Sequence, residues 1–316
     1  MNGTPISTGV VGVGYLGRFH AQKYASLPNS QLVAVVDTDE ERARAIGGEH
    51  GAEALTDYRA LLGRVDAVSI VTPTMSHYAI AKEFLEHGSH VLVEKPITAT
   101  LAEAEALVCL ARETGRLLMV GHLERFNAAR LALDTVLDQP RFIESHRLAP
   151  FKPRGTDVSV VLDLMIHDID IILDMVAAPL RRVDASGTPV LTDAVDIANA
   201  RLQFENGCVA NVTASRVSAK VERKMRIFQQ DSYVSLDFQT RTLTSHRRGD
   251  GEQYPGIPTI EVHSQTFDEA DALKTEISHF LEVIASGRRP LVSGEDGLRA
   301  LEVAMRIGNL LATEPG

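Results

Sequence analysis

The sequence predicts an α/β chain in two parts. Residues 1–122 should form a doubly wound parallel sheet, and residues 123–316 an α+β domain with an open, mostly antiparallel sheet. Three observations predict it. Short apolar runs alternate with helix-patterned segments through the first 121 residues. A glycine-rich turn, Gly12-Val-Gly14-Tyr-Leu-Gly17, joins the first run to the first helical segment. After His122 the alternation gives way to successive strand-like runs broken by turn signals. Alternation builds a parallel sheet covered by helices on both faces, whereas runs of strands build a separate antiparallel layer.

Taken in order, residues 9–13 read as a strand, 15–26 as a helix and 31–37 as a second strand, with a charged helix from about 39. Strands at 65–71, 90–94 and 117–120 then alternate with helices at 76–87 and 101–114. Beyond His122, the pattern predicts a helix over 125–137, a strand over 141–148 and a Pro/Gly-rich loop over 150–156. A strongly apolar helix over 160–175 follows. Strands fill 181–263, with turns such as Glu205-Asn206-Gly207, and helices at 271–286 and 294–312 close the chain.

Composition excludes several function classes. The net charge of -10, from 42 acidic and 32 basic residues, argues against a nucleic-acid binder, which needs a basic face. No apolar run approaches the ~20 residues of a membrane span. Residues 1–8 are polar and carry no apolar signal core, so the cytoplasm is the expected location. Cys109 and Cys208 sit in apolar patterns and make no disulfide framework. No metal site is expected, because no HExxH helix or cysteine cluster is present.

The glycine turn gains meaning from its setting between a strand and a helix. Gly12 makes the tight turn, Gly14 lets a pyrophosphate approach the backbone, and Gly17 lets helix and strand pack closely. Tyr15 and Leu16 lie within the turn, and the helix start attracts phosphate. Such a unit is a Rossmann dinucleotide-binding domain. Asp37 ends the second strand 20 residues after Gly17. A carboxylate there accepts hydrogen bonds from the adenosine ribose and repels a 2′-phosphate, so NAD is the expected cofactor. Thr72-Pro73, with His77 just beyond, and Glu94-Lys95-Pro96 end two further strands at the rim where ligands bind. Local sequence leaves Lys95 open between a cleft lysine and a solvated lysine before a turn.

The apolar helix over 160–175 is also informative. Asp163, His167, Asp170 and Asp174 recur at spacings of four, three and four, which places them on one face. A polar stripe on a buried helix must line a polar cleft or be internally paired. The cleft is the expected solution. His167 suits general-base work, and Asp163 one turn earlier could orient it.

These motifs, in this order, closely resemble the glucose–fructose oxidoreductase/inositol dehydrogenase (Gfo/Idh/MocA) family. The likeness spans nearly the whole chain, from Gly12 through Phe19-His20, Asp37, Thr72-Pro73, His77, Glu94-Lys95-Pro96 and Asp163-x-x-x-His167 to Arg289-Pro290…Gly294-Glu-Asp296-Gly297. It implies a dehydrogenase acting on a secondary hydroxyl, with Lys95, Asp163 and His167 as catalytic residues and His167 as proton acceptor. It also implies a homo-oligomer, dimer or tetramer, formed through the open sheet. Residues 121–127 and 163–170 are similar to the UDP-N-acetylglucosamine 3-dehydrogenase-like branch, although Ala128 replaces that branch's usual proline. The branch implies a nucleotide-sugar substrate oxidised at C3, for which Arg125, Asn127, Arg154 and Arg216 are the expected further contacts. A free-sugar or inositol dehydrogenase is the alternative, and a non-catalytic NAD-binding regulator the second.

Overall fold

The computed structural model describes residues 4–152, 159–268 and 270–313. It divides into two compact units. The first comprises Met1–Leu123 and Asp271–Leu298, the second Glu124–Ala270 and Arg299–Gly316.

In the first unit, β1 (Ile6–Val11), α1 (Gly17–Ser26), β2 (Ser30–Val36), α2 (Glu40–His50) and β3 (Glu53–Leu55) form one half. β4 (Ala67–Ile70), α3 (His77–Glu86), β5 (His90–Glu94), α4 (Leu101–Thr114) and β6 (Leu118–Gly121) form the other. The strands pair in parallel in the order β3-β2-β1-β4-β5-β6. The order reverses at β1 and β4, which creates a crevice beyond their carboxyl ends. All four residues of β4 are buried, as expected of a central parallel strand. Thr100 and Glu103 form a reciprocal capping box that starts α4, and Gly115 stops it in the left-handed region. The edge strand β3 was not among the expected elements. Its three residues are too few to show a period.

The second unit contains α5 (Ala128–Leu133), β7 (Phe142–Leu148), α6 (Ile166–Val176), β8 (Leu180–Thr188), β9 (Ile197–Phe204) and β10 (Val209–Ser215). β11 (Glu222–Gln229), β12 (Ser232–Asp237), β13 (Thr242–Tyr254) and β14 (Ile257–Thr266) complete its sheet. Eight strands run in the order β14-β13-β12-β11-β7-β10-β9-β8, antiparallel except for β7 beside β10. Ile166, Ile169 and Ile172 of α6 join Ile143, Leu202, Val212 and Ile227 in one buried core. The other face of the sheet carries the aromatic stack Phe142, Phe228, Tyr233 and His246, whose last two rings lie 4.1 Å apart and nearly parallel.

Two expectations need correction. The helix anticipated over 125–137 is only α5. A 3₁₀ turn, Leu123–Phe126, precedes it, and Asn127 breaks the path with an extended backbone, its side chain accepting the Ala129 N–H. The segment Asp271–Leu298, expected in the second domain, belongs to the first unit. It carries α7 (Ala272–Ser286) and the first residues of α8 (Gly294–Thr313). Its apolar face, with Ile277, Phe280 and Leu281 buried, packs beside α1, and Ser293 bridges to Met119 of β6.

Candidate active site

The glycine turn is built by steric necessity. Gly12 has φ +87°, and a Cβ there would lie 2.7 Å from the Val71 carbonyl oxygen. A Cβ on Gly17 would lie 1.8 Å from the Gly12 carbonyl oxygen, so helix and strand meet only because it is absent. A Cβ on Gly14 would meet no atom within 4 Å, so that side of the backbone is open to a ligand. No side chain caps the start of α1, and Tyr15 and Leu16 are exposed beside it. A cavity of about 580 Å³ adjoins the turn, lined by Gly12, Gly14, Asp37, Thr72 and Pro73.

Asp37 sits in this cavity with its carboxylate oriented by backbone. Its oxygens accept the Val13 and Asp39 N–H groups, each at 3.0 Å. Arg42 also donates to it, at 3.1 Å. Thr38, Arg42, Thr56, Tyr58, Ser76 and Ala79 complete much of the wall and were not foreseen as ligand contacts. They come from three separate segments that only the folded sheet gathers. An open glycine backbone, an uncapped helix start and a carboxylate at a strand end together suit the phosphates and ribose of a dinucleotide.

His77 does not line this cavity. It is buried, with Nδ1 at 3.0 Å from the Pro96 carbonyl and Nε2 at 2.8 Å from the Thr72 carbonyl. A neutral ring donates to one of these at a time, and burial lowers its pKa. Its evident work is to bracket the Thr72 and Pro96 loops. Glu94 ends β5 and Lys95 follows it directly, both half-buried. Glu94 is bonded to His20 Nε2 at 3.2 Å. Gly121 leaves room for it, since a Cβ there would come within 3.0 Å of the Glu94 carboxyl carbon.

In the second unit, Asp163 lies in a π-helical turn, Val161–Met165, that leads directly into α6. The Ile166 N–H reaches back five residues to the Val161 carbonyl, so the turn is wider than an α-helix at this point. π-Turns of this kind are frequent at functional sites. Asp163 and His167 are both half-buried. The rest of the aspartate stripe is not a cleft lining. Arg125, 2% exposed, pairs with Asp170 at 3.1 Å and with Asp174. Arg130 also holds Asp174, and Arg147 holds Asp168 at 2.7 Å. Internal pairing is therefore the solution for Asp170 and Asp174.

The same geometry redirects three expected substrate contacts. Arg125 is committed to α6. Asn127 caps α5 and donates to the Phe238 carbonyl at 3.1 Å. Arg216, buried, pairs with Asp196 at 3.2 Å and donates to the Val195 carbonyl. Arg154 lies outside the described residues.

Residues 6–122 match the profile of an oxidoreductase family with an NAD-binding Rossmann fold, and residues 131–233 match the Gfo/Idh/MocA C-terminal domain. The chain belongs to the Gfo/Idh/MocA oxidoreductase family. Its cofactor is NAD. The chain is 45% identical over 301 residues to the UDP-N-acetylglucosamine 3-dehydrogenase of Acidithiobacillus ferrooxidans, covering 95% of both chains. It is 28% identical over 323 residues to the scyllo-inositol 2-dehydrogenase (NAD(+)) of Bacillus subtilis, covering 95% of this chain and 92% of that one. A solved structure of the A. ferrooxidans enzyme, GnnA, superposes with a TM-score of 0.92 at 44% identity over 98% of each chain. Within this family frame, no group of three His, Cys, Asp or Glu side chains suited to a metal is found among the described residues. No helix among them is long and apolar enough to cross a membrane.

Proposed function

We propose that this Gfo/Idh/MocA member oxidises the C3 hydroxyl of UDP-N-acetylglucosamine to a 3-keto sugar. The observation that carries the reading is its similarity to GnnA across nearly the whole of both chains. Bound NAD supplies a nicotinamide that accepts hydride from the sugar carbon. His167 takes the hydroxyl proton, and Asp163 favours the charged imidazole that results. Lys95 offers a positive charge to the developing alkoxide. The π-turn that carries Asp163 supports this assignment, because the helix departs locally from α-helical spacing at Asp163, one turn before His167.

A homo-oligomer is also proposed, formed through the outer face of the second sheet. There the row Phe142, Phe228, Tyr233 and His246 runs directly across paired strands to Val262, which is 55% exposed on the edge strand. The exposed thiol of Cys109 fits a reducing compartment, so a cytoplasmic location is proposed as well.

The test is direct. Purified protein with NAD should generate NADH on addition of UDP-N-acetylglucosamine, and mass spectrometry should find a product two hydrogens lighter. NADH formation with inositol or a free sugar, and none with the uridine nucleotide sugar, would overturn the substrate while leaving the dehydrogenase reading in place.

A further inference from the structure

Asp168 follows His167 in the chain but stands outside the stripe of Asp163, His167, Asp170 and Asp174. Successive helical residues project about 100° apart, so it leaves α6 on a different side from the histidine. That side is the sheet. Asp168 is 1% exposed. Its Oδ1 accepts the Ser145 hydroxyl at 2.9 Å, and its Oδ2 accepts Arg147 Nε–H at 2.7 Å. Arg147 Nη2 also donates to Oδ1, at 3.3 Å, so guanidinium and carboxylate meet fork to fork. Ser145 and Arg147 are two residues apart on β7 and therefore share one face of the sheet.

The clamp is itself held from behind. Arg147, 3% exposed, donates through Nη1 to Glu124 at 2.9 Å. Glu124 lies in the 3₁₀ turn Leu123–Phe126. Arg223 of β11, directly opposite Arg147 across the paired strands, approaches the same carboxylate at 3.5 Å. Two carboxylates thus meet two guanidinium groups. Burial opposes the charge on Arg147, but Asp168 and Glu124 outweigh burial and raise its pKa.

Stability alone does not call for this network. Replacing a buried ion pair by apolar side chains of similar volume often leaves a fold equally stable or more so. What the pair adds is direction. Ile166, Ile169, Ile171 and Ile172 of α6 are buried, and apolar packing is non-directional. The π-turn Val161–Met165 interrupts the α-helical ladder just before His167. No side-chain bond caps α6 at Met165. Asp168, in the same turn as His167, supplies directed, charge-assisted bonds from the helix to the sheet.

We propose that Asp168 is a positioning residue: clamped by Ser145 and Arg147, it fixes the rotation of the first turn of α6 and so the point from which the His167 imidazole is presented. The inference rests on the proposed role of His167 as proton acceptor.

The experiment follows single-turnover formation of NADH from NAD and UDP-N-acetylglucosamine. Asp168→Asn keeps the shape of the side chain but loses the fork. It should slow NADH formation by up to roughly 100-fold, the cost of misplacing a reacting group by about an ångström. Ser145→Ala, which leaves the ion pair whole, should slow it less. NAD affinity, measured by fluorescence, should hold in both. The deciding readout is the His167→Ala background. If Asp168 acts through His167, nothing is left there to position, and adding Asp168→Asn should cause no further loss.

A wild-type rate in folded Asp168→Asn overturns the proposal. Should that variant not fold, a wild-type rate in Ser145→Ala overturns it. An equal further loss in the His167→Ala background does so too, as does an equal loss in Asp196→Asn, since either shows a general effect of lowered stability. Wild-type NADH formation by His167→Ala would instead remove the reading on which the inference rests.

Discussion

The glycine turn of the first unit and the aspartate-rich helix of the second both hold polar groups against an apolar core, by opposite means. Around Gly12 and Gly17 the backbone does the work, because no Cβ fits against the Val71 and Gly12 carbonyls. Along α6 the side chains do it, with Arg125, Arg130 and Arg147 neutralising Asp170, Asp174 and Asp168. A site made by backbone sterics needs a particular residue type at a particular place. A site made by ion pairs needs partners from elsewhere in the chain. Arg125 and Asp170 are 45 residues apart in sequence, and nothing local announces their pairing.

The largest test of this contrast asks which members of the stripe are chemical and which structural. Replacing His167 or Lys95 by Ala should cut turnover by roughly 10²–10⁴-fold, with NAD affinity little changed, as for a positioned proton-transfer or charge-stabilising group. Near-normal turnover of folded His167→Ala on the true substrate would show that the helix contributes packing alone, and the same result for Lys95→Ala would remove its charge-stabilising role. Arg125→Ala, by contrast, should act on stability, lowering it by about 3–5 kcal/mol because Asp170 is left buried without its cation. Denaturant unfolding measures this. A loss of turnover with unchanged stability would return Arg125 to the substrate.

Asp196 sharpens the contrast, since it shows the second unit also using backbone donors. Its Oδ2 accepts the Val190, Leu191 and Thr192 N–H groups at 2.8, 2.6 and 2.9 Å. Burial alone would raise its pKa, but these donors outweigh burial and hold it well below the usual range. A depressed carboxylate contributes stability that is present above its ordinary pKa and lost as pH falls toward the folded value. Asp196→Asn should therefore melt a few degrees lower at neutral pH, and the gap to wild type should close on acidification below about 4. A gap that widens on acidification would contradict this assignment.

The smallest expected effect lies at Asp37. With Arg42 already beside it, part of its charge is offset. Wild type should prefer NAD over NADP in kcat/KM, and Asp37→Ser should narrow that preference by about tenfold, the order expected from removing one charge near a phosphate. An unaltered preference would shift discrimination to the Thr38–Arg42 side of the cavity.

The sequence by itself determined the two-part architecture, the glycine turn and the carboxylate at the end of β2. All three depend on residues close in sequence: a period of two or of 3.6, a Cβ that does not fit, an aspartate at a strand end. It also brought Lys95, Asp163 and His167 forward as candidates, through the order of its motifs rather than through any visible contact. Only the tertiary structure decided that Arg125 and Arg216 spend their charge internally, that Asn127 interrupts a helix, and that α7 returns to the first unit. A buried charge is settled by whichever partner the fold delivers, and for these residues the partner comes from a distant segment that no local pattern names.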